Sequence, residues 1–279
     1  MLEKKHNVHI ERVKKWRWAM HEFTNLSGSH FKFSGSYEFQ FIQRIVEDVS
    51  SRLHRPLLHI TNHPIGLESR ISKVHSLLET WSSDGFQMVG IYGLGGIGKT
   101  TLARAIYNHI ANQFECKCFL ANVREHCATM EGLVKMQKIL LFKMLGDMKF
   151  YIGEVNEGIS IIKHRLCRKK ALLVLDDVDK LEQLQNLVGQ RNWFGSDSKI
   201  IITTRDKRLL TAHKIDSMYQ MEELNDQEAL ELFCWNALKR SEPDAGYEEI
   251  SMSAICYGKN LPLVLEIIGS DLFRKGIDE

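Results

Sequence analysis

The sequence lacks an excess of charge of either sign. Its 279 residues carry 37 Lys and Arg against 35 Asp and Glu, a net charge of +2. Composition therefore offers no electrostatic case for binding DNA, RNA or a membrane surface. No apolar run approaches the length of a membrane span. The opening residues Met1–His6 are charged and contain no secretory apolar segment, so we expect no leader there.

Cysteine is scarce and scattered, with six residues and no C-x-x-C motif. Cys116, Cys118, Cys127 and His126 lie close enough in the sequence to raise the question of a metal site. Cys118, however, stands in an apolar run whose alternate side chains face a core, which favours buried thiols over zinc ligands. This usage indicates a reducing compartment, and we expect a cytoplasmic or nucleocytoplasmic protein.

A glycine-rich loop followed by a lysine and two threonines is the most informative motif present. The apolar run Met88–Tyr92 predicts a strand before it, and Leu102–Tyr107 is patterned like a helix after it. Strand, G-x-x-x-x-G-K-T and helix indicate a phosphate-binding P-loop rather than a simple turn before a core helix. Lys99 places a positive charge at the β- and γ-phosphates, and the Thr100 hydroxyl is placed to hold Mg²⁺. The residues predicted to bind nucleotide here are Gly93, Gly95, Gly96, Ile97, Gly98, Lys99, Thr100 and Thr101.

The central part of the chain alternates between short apolar strands and helical patterns. This alternation predicts an α/β fold, a parallel sheet covered by helices on both faces. The predicted strands are Met88–Tyr92, Cys118–Asn122, Ala171–Asp176, Lys199–Thr204 and Met218–Met221. From Asn225 onward only helices are predicted, the first of them capped by Asn225 with Glu228 at the capping-box position.

Two carboxylates end the apolar strand Ala171–Asp176 in the Walker B pattern. We predict that Asp176 holds the Mg²⁺ bound by Thr100 and that Asp177 orients or deprotonates an attacking water. The alternative is that Asp177 and Asp179 only cap the following helix, because aspartate is a favoured N-cap.

The strand Lys199–Thr204 ends in Thr-Thr-Arg. If this strand inserts between the P-loop strand and the Walker B strand, Arg205 emerges beside the γ-phosphate and can distinguish ATP from ADP. The alternative is a surface ion pair of Arg205 with Asp206 or Asp177, which would contribute little. Two further segments are weak signals on spacing alone. Ile65 and Gly66 belong to a backbone segment able to clamp adenine, and Pro262 opens a helix.

Together these motifs resemble the NB-ARC nucleotide-binding module of plant disease-resistance receptors of the nucleotide-binding, leucine-rich-repeat (NLR) class. The matching segments, in order, are Pro64–Arg70, the P-loop, Phe119–Glu125, Leu172–Asp179, Ile202–Asp206 and Leu261–Leu263. Asn122–Glu125 and Asp179 are similar to the subclass with an N-terminal Toll/interleukin-1 receptor (TIR) domain. The resemblance implies a P-loop NTPase fold of the STAND or AAA-like type with a helical, ARC1-like subdomain. It also implies that Pro262 contacts adenosine and that Arg205 senses phosphate.

The resemblance implies four regions. These are a remnant of the last TIR helix (1–34), a linker helix and loop (35–62), the P-loop domain (63–222) and a truncated helical subdomain (223–279). Most of the TIR domain, the winged helix and the leucine-rich repeats are expected to be missing, and no NAD cleavage is expected. Asn260 replaces the usual glycine of Gly-Leu-Pro-Leu, but asparagine tolerates the left-handed backbone of that turn.

The function implied is a switch in which ADP holds a receptor closed and ATP favours an open, oligomerising state, with weak ATPase activity or none. Expected partners are an adenine nucleotide with Mg²⁺ and other NLR receptors, through self-association or pairing. Two alternatives stay open: a nucleotide-independent adaptor that pairs with full-length receptors, and an AAA-type ATPase with sustained turnover.

Overall fold

The computed structural model describes residues 57–61, 63–80, 85–146, 151–243 and 246–273. A boundary after Pro56 divides the chain into two units, and every described residue belongs to the second, Leu57–Glu279. The helices predicted within residues 1–25 and 37–53 lie outside the described residues.

The described residues form a five-stranded sheet in which all paired neighbours are parallel, in the order β2-β3-β4-β1-β5. The strand bounds are β1 Gln87–Tyr92, β2 Cys116–Leu120, β3 Ala171–Val178, β4 Lys199–Thr204 and β5 Ser217–Gln220. The α/β prediction is confirmed, and β4 does insert between the P-loop strand and the Walker B strand. Strand β2 lies two residues earlier than predicted because Asn122 adopts a left-handed backbone (φ 51°), which cannot continue a strand.

Helices cover both faces of this sheet and continue beyond it. Their bounds are α1 Leu67–Leu78, α2 Lys99–Ile110, α3 Val123–His126, α4 Met130–Leu145, α5 Val155–Leu166, α6 Leu181–Leu187, α7 Lys207–Ala212, α8 Asp226–Leu238, α9 Glu248–Gly258 and α10 Pro262–Leu272. Short 3₁₀ turns occur at Ala111–Gln113 and Arg191–Trp193. None of the helices in the described part of the chain is long and apolar enough to cross a membrane.

Alternate residues of the central strands supply two separate cores. On β3, Leu173 and Leu175 pack into one core while Leu172 and Val174 pack into the other. All four side chains are fully buried, each contributing about 1.5–3 kcal/mol to folding. Because both faces of β3 are covered by helices, its polar residues Asp176 and Asp177 follow the apolar run at the carboxyl end of the strand. In parallel sheets of this kind, ligands bind at the carboxyl ends of the strands.

A third core holds the last three helices together. It contains Leu232 and Phe233 of α8, Ile255 of α9 and Leu265 of α10. Helix α8 has the predicted capping box, in which the Asn225 side chain accepts from the Glu228 N–H while Glu228 accepts from the Asn225 N–H.

Candidate functional site

The P-loop connects β1 to α2 and curls around the side chain of Lys99. Gly96 and Gly98 have φ of 76° and 98°. Residues with a Cβ rarely adopt these positive φ values, whereas glycine adopts them without steric cost. The Lys99 ammonium donates to the carbonyls of Gly93 (2.9 Å) and Leu94 (2.6 Å). Burial lowers the pKa of Lys99 from its usual 10.5, and the guanidinium of Arg205 lowers it further, whereas Asp177 and Asp176 oppose the shift. The lysine charge is therefore held beside the loop, at the start of helix α2.

The carboxylate of Asp176 lies across the start of α2. Its Oδ1 accepts hydrogen bonds from Thr100 Oγ1 at 2.8 Å and from Thr203 Oγ1 at 2.7 Å. Its Oδ2 is buried and has no hydrogen-bond partner among the described residues. An unsatisfied buried carboxylate oxygen beside a hydroxyl is a donor set of hard oxygens, which fits Mg²⁺. The predicted pair Thr100 and Asp176 is thus brought together in a form that could hold the ion.

A β-bulge aims the next carboxylate differently. Leu175 pairs with Ile202 and Val178 pairs with Thr204, so Asp176 and Asp177 of β3 face one residue of β4. Asp177 has a left-handed backbone (φ 57°), and its N–H donates to Thr203 Oγ1 at 2.8 Å. The bulge turns the Asp177 side chain toward the partly exposed edge of the site while Asp176 stays buried.

Asp177 has no capping role in the described structure. At the start of α6 the N-cap residue is Lys180, whose N–H donates to Gln183 Oε1 at 3.2 Å. The same Gln183 side chain accepts from the Asp179 N–H (3.0 Å) and donates to the Asp179 carboxylate (2.8 Å). Asp177 instead forms ion pairs with Arg124 at 2.7 Å and with Arg205 at 3.6 Å.

Arg205 emerges from β4 above the P-loop. A Cβ placed on Gly95 would lie 3.3 Å from Arg205 Nη1, so the guanidinium packs directly against that glycine. Of the two ion pairs considered from the sequence, Arg205 forms the one with Asp177. Asp206 caps α7 and pairs with Arg208. The Arg205 side chain is 53% exposed.

Apart from the residues around Lys99 and Asp176, a separate pocket lies between the P-loop and the last helices, and it is called the second pocket below. It is lined by the predicted residues Ile65, Ile97, Gly98, Thr101 and Pro262, and also by Arg70, Met221 and Glu266. Its largely apolar walls with few polar groups suit a flat heteroaromatic ring. Gly66 does not line this pocket but caps α1 with φ 68°.

Sequence reasoning missed Glu266, Arg70 and Arg124. Burial raises the pKa of Glu266, which lines the second pocket. Arg70 donates to both carboxylate oxygens of Glu228 at 3.0 Å and to the Glu223 carbonyl at 3.1 Å. Arg70 and Arg124 lie in the recognised motif segments, but only their spatial partners identify their roles.

The helical part touches the P-loop directly. The N–H of Leu263, in the first turn of α10, donates to the Gly96 carbonyl at 3.1 Å. Asn260 adopts the expected left-handed conformation (φ 54°), and its amide donates to the Leu224 carbonyl at 3.0 Å and to Asp226 at 2.8 Å. The asparagine that replaces glycine therefore keeps the turn and adds two bonds.

The cysteines near β2 are core residues. Cys116, Cys118 and Cys127 are buried, whereas His126 is exposed. Burial, together with the charge of Asp179, raises the pKa of Cys127 to about 11, which keeps this sulfur a neutral thiol.

Residues 67–242 match the NB-ARC domain. The chain is 38% identical over 270 residues to the disease resistance protein RPV1 of Vitis rotundifolia, covering 96% of this chain and 19% of that protein. It is 35% identical over 284 residues to the TMV resistance protein N of Nicotiana glutinosa, covering 99% of this chain and 24% of the other. The chain thus spans about a fifth to a quarter of the length of these relatives.

Among solved structures, a chain of the Drosophila origin recognition complex (ORC) bound to DNA is similar in fold. The TM-score is 0.50 at 14% sequence identity, and the match covers 93% of this chain and 66% of that chain. At this identity the likeness shows the fold alone.

Proposed function

Because the chain belongs to the NB-ARC family, we propose that it is the ADP- and ATP-binding switch module of a plant intracellular immune receptor. We place the P-loop domain at 63–222 and the helical subdomain at 223–279. We also propose a cytoplasmic location and association with further receptor chains.

The observation that carries the proposal is the joint placement of Lys99, Thr100 and Asp176. A lysine at the loop and a hydroxyl beside a buried, partly unsatisfied carboxylate form the two halves of a phosphate and Mg²⁺ site. Bound Mg²⁺ would neutralise charge on the phosphate oxygens. Ile65 and Pro262 line the second pocket, where the adenine and ribose would then lie.

Switching requires that ATP and ADP differ in affinity for two arrangements of the chain. Arg205 packs on Gly95 at the phosphate side and is exposed enough to reorient. A γ-phosphate would attract this guanidinium, whereas ADP offers no such group. We propose that this contact supplies most of the differential affinity.

Hydrolysis, where it occurs, is slow in this proposal. Asp177 is the carboxylate placed to orient an attacking water, yet it is paired with Arg124 and Arg205. A water could reach this carboxylate only in competition with the two arginine side chains. The chain is then better suited to holding a nucleotide than to turning it over.

The test is to identify the nucleotide released when the purified full chain is denatured. We expect stoichiometric ADP or ATP from the wild type and none from Lys99→Ala. Lys169→Ala is the control, because Lys169 pairs with Glu115 at the amino end of the strands. Equal nucleotide content in wild type and Lys99→Ala would contradict the proposal.

Measuring phosphate release from ATP distinguishes the proposed switch from a motor-type ATPase. The switch predicts ATP turnover well below the median enzyme rate of about 10 s⁻¹. Sustained rapid turnover would favour a motor-type ATPase. A chain that is purified without bound nucleotide and gains no thermal stability from added ATP or ADP would favour a nucleotide-independent adaptor.

A further inference from the structure

Arg124 occupies a turn that is fixed to the core on both sides. It lies in the one-turn helix α3, entered through the left-handed residue Asn122. Val123 before it and Cys127 after it are buried. The backbone of Arg124 is therefore held at the carboxyl edge of the sheet, next to the end of β3.

Two arginines share the Asp177 carboxylate, and they hold it with different strength. Arg124 Nη2 lies 2.7 Å from Oδ2, which makes it the closer ion pair of the two. Arg205 Nε lies 3.6 Å from Oδ1, which exceeds hydrogen-bond distance. The side chain of Arg124 is 34% exposed against 53% for Arg205, so Arg205 is also the more exposed partner. A competing anion would draw away Arg205 before Arg124.

We propose that Arg124 is a positioning residue that occupies Asp177, so that Arg205 remains available to the terminal phosphate of ATP. The inference rests on the proposed binding of ATP and ADP. Without Arg124, the Asp177 carboxylate would compete with the γ-phosphate for Arg205. Its negative charge would also repel that phosphate. Both effects weaken ATP binding and spare ADP, so Arg124 acts on the preference between the two nucleotides.

A direct contact of Arg124 with phosphate is the competing explanation, and the two differ in their dependence on Asp177. If Arg124 acts through Asp177, neutralising that carboxylate makes Arg124 dispensable. If Arg124 binds phosphate itself, its loss costs the same whether or not Asp177 is charged. A double-mutant cycle distinguishes these cases.

The experiment measures ATP and ADP dissociation constants by calorimetry with Mg²⁺, using the full 279-residue chain. Arg124→Ala should weaken ATP relative to ADP by about fivefold, the lower end of typical coupling between sites. In an Asp177→Asn background the same change should alter that ratio less than about twofold. Arg124→Lys keeps a cation beside Asp177 and should recover at least half of the lost preference, on a logarithmic scale. Lys169→Ala should leave the ratio unchanged.

Three results would overturn the inference alone: equal losses for ATP and ADP, an undiminished loss in the Asp177→Asn background, or no recovery in Arg124→Lys. A wild-type chain that binds neither nucleotide would instead overturn the proposed function, and this inference with it. Thermal unfolding of each variant confirms that it is folded before the binding constants are compared.

Discussion

Replacing Arg70 with alanine should lower the free energy of unfolding by about 2–3 kcal/mol. The Arg70 guanidinium donates to Glu228 Oε1 and Oε2 at 3.0 Å each, to the Glu223 carbonyl at 3.1 Å, and to the Gly66 carbonyl. The Arg70 and Glu228 side chains are only 9% and 18% exposed. The substitution would therefore leave a poorly hydrated carboxylate without its cation.

The loss of unfolding free energy expected for Arg70→Ala lies between two limits. Breaking one side of a fully buried pair costs about 3–5 kcal/mol, whereas an exposed pair contributes about 0–1 kcal/mol. Glu228 keeps one donor after the substitution, because the Asn225 N–H still donates to its Oε2 at 3.1 Å. That remaining bond and the residual exposure place the estimate below the buried limit.

The pH dependence follows from the lowered pKa of Glu228. Burial by itself raises this pKa, but the hydrogen bonds from Arg70 and Asn225 outweigh it. A carboxylate with a lowered folded pKa stabilises the protein above its ordinary value of 4.5, and that stability is lost as the pH falls further. The gap between wild type and Arg70→Ala should be full at pH 7 and should shrink below pH 4.5.

Urea denaturation followed by far-ultraviolet circular dichroism measures this gap. Lys169→Ala, which removes the exposed pair with Glu115, is the control and should cost less than about 1 kcal/mol. Arg70→Lys should recover only part of the loss, because an ammonium cannot donate as a planar fork. A cost for Arg70→Ala no larger than that of Lys169→Ala would refute the reasoning.

Three further outcomes are expected. Arg205→Ala should weaken ATP by about tenfold more than ADP in calorimetry, since a charge-assisted contact contributes about 1.5 kcal/mol; equal losses would reject the sensor role. Asp176→Asn should remove the Mg²⁺ dependence of ATP affinity while the chain stays folded, and an unchanged response to chelator would contradict the metal assignment. Burial raises the pKa of Glu266, so the stability that its protonated form contributes is lost as the pH rises above 4.5. Without nucleotide, Glu266→Gln should therefore have a higher Tm than the wild type at pH 7. An equal Tm would count against the burial of this carboxyl group.

Much of the fold was predictable because its signals are local. Strand β4 has the predicted bounds Lys199–Thr204, and the capping box of Asn225 and Glu228 forms as expected. The left-handed turn at Asn260 was expected from the resemblance, because asparagine tolerates the conformation of the glycine that it replaces. The one-turn helix Val123–His126 was not predicted, because four residues are too few to show a helical period.

The arrangement of the candidate site was predictable around the P-loop and less so elsewhere. The P-loop spacing assigns Lys99 and Thr100 from contiguous residues. The pair of Arg70 and Glu228 joins residues 158 positions apart, and no sequence period relates them. The bulge that separates Asp176 from Asp177 depends on pairing with β4, so it too was visible only in three dimensions.

The bond from the Leu263 N–H to the Gly96 carbonyl ties the first turn of α10 to the loop that would cradle phosphate. Gly96 has no room for a side chain there, since a Cβ would lie 2.7 Å from that of Leu263. A shift of the loop would therefore either break this hydrogen bond or move the first turn of α10 with it. A substitution in α10 that disturbs this contact should then alter the loop without changing any residue of its G-x-x-x-x-G-K-T motif.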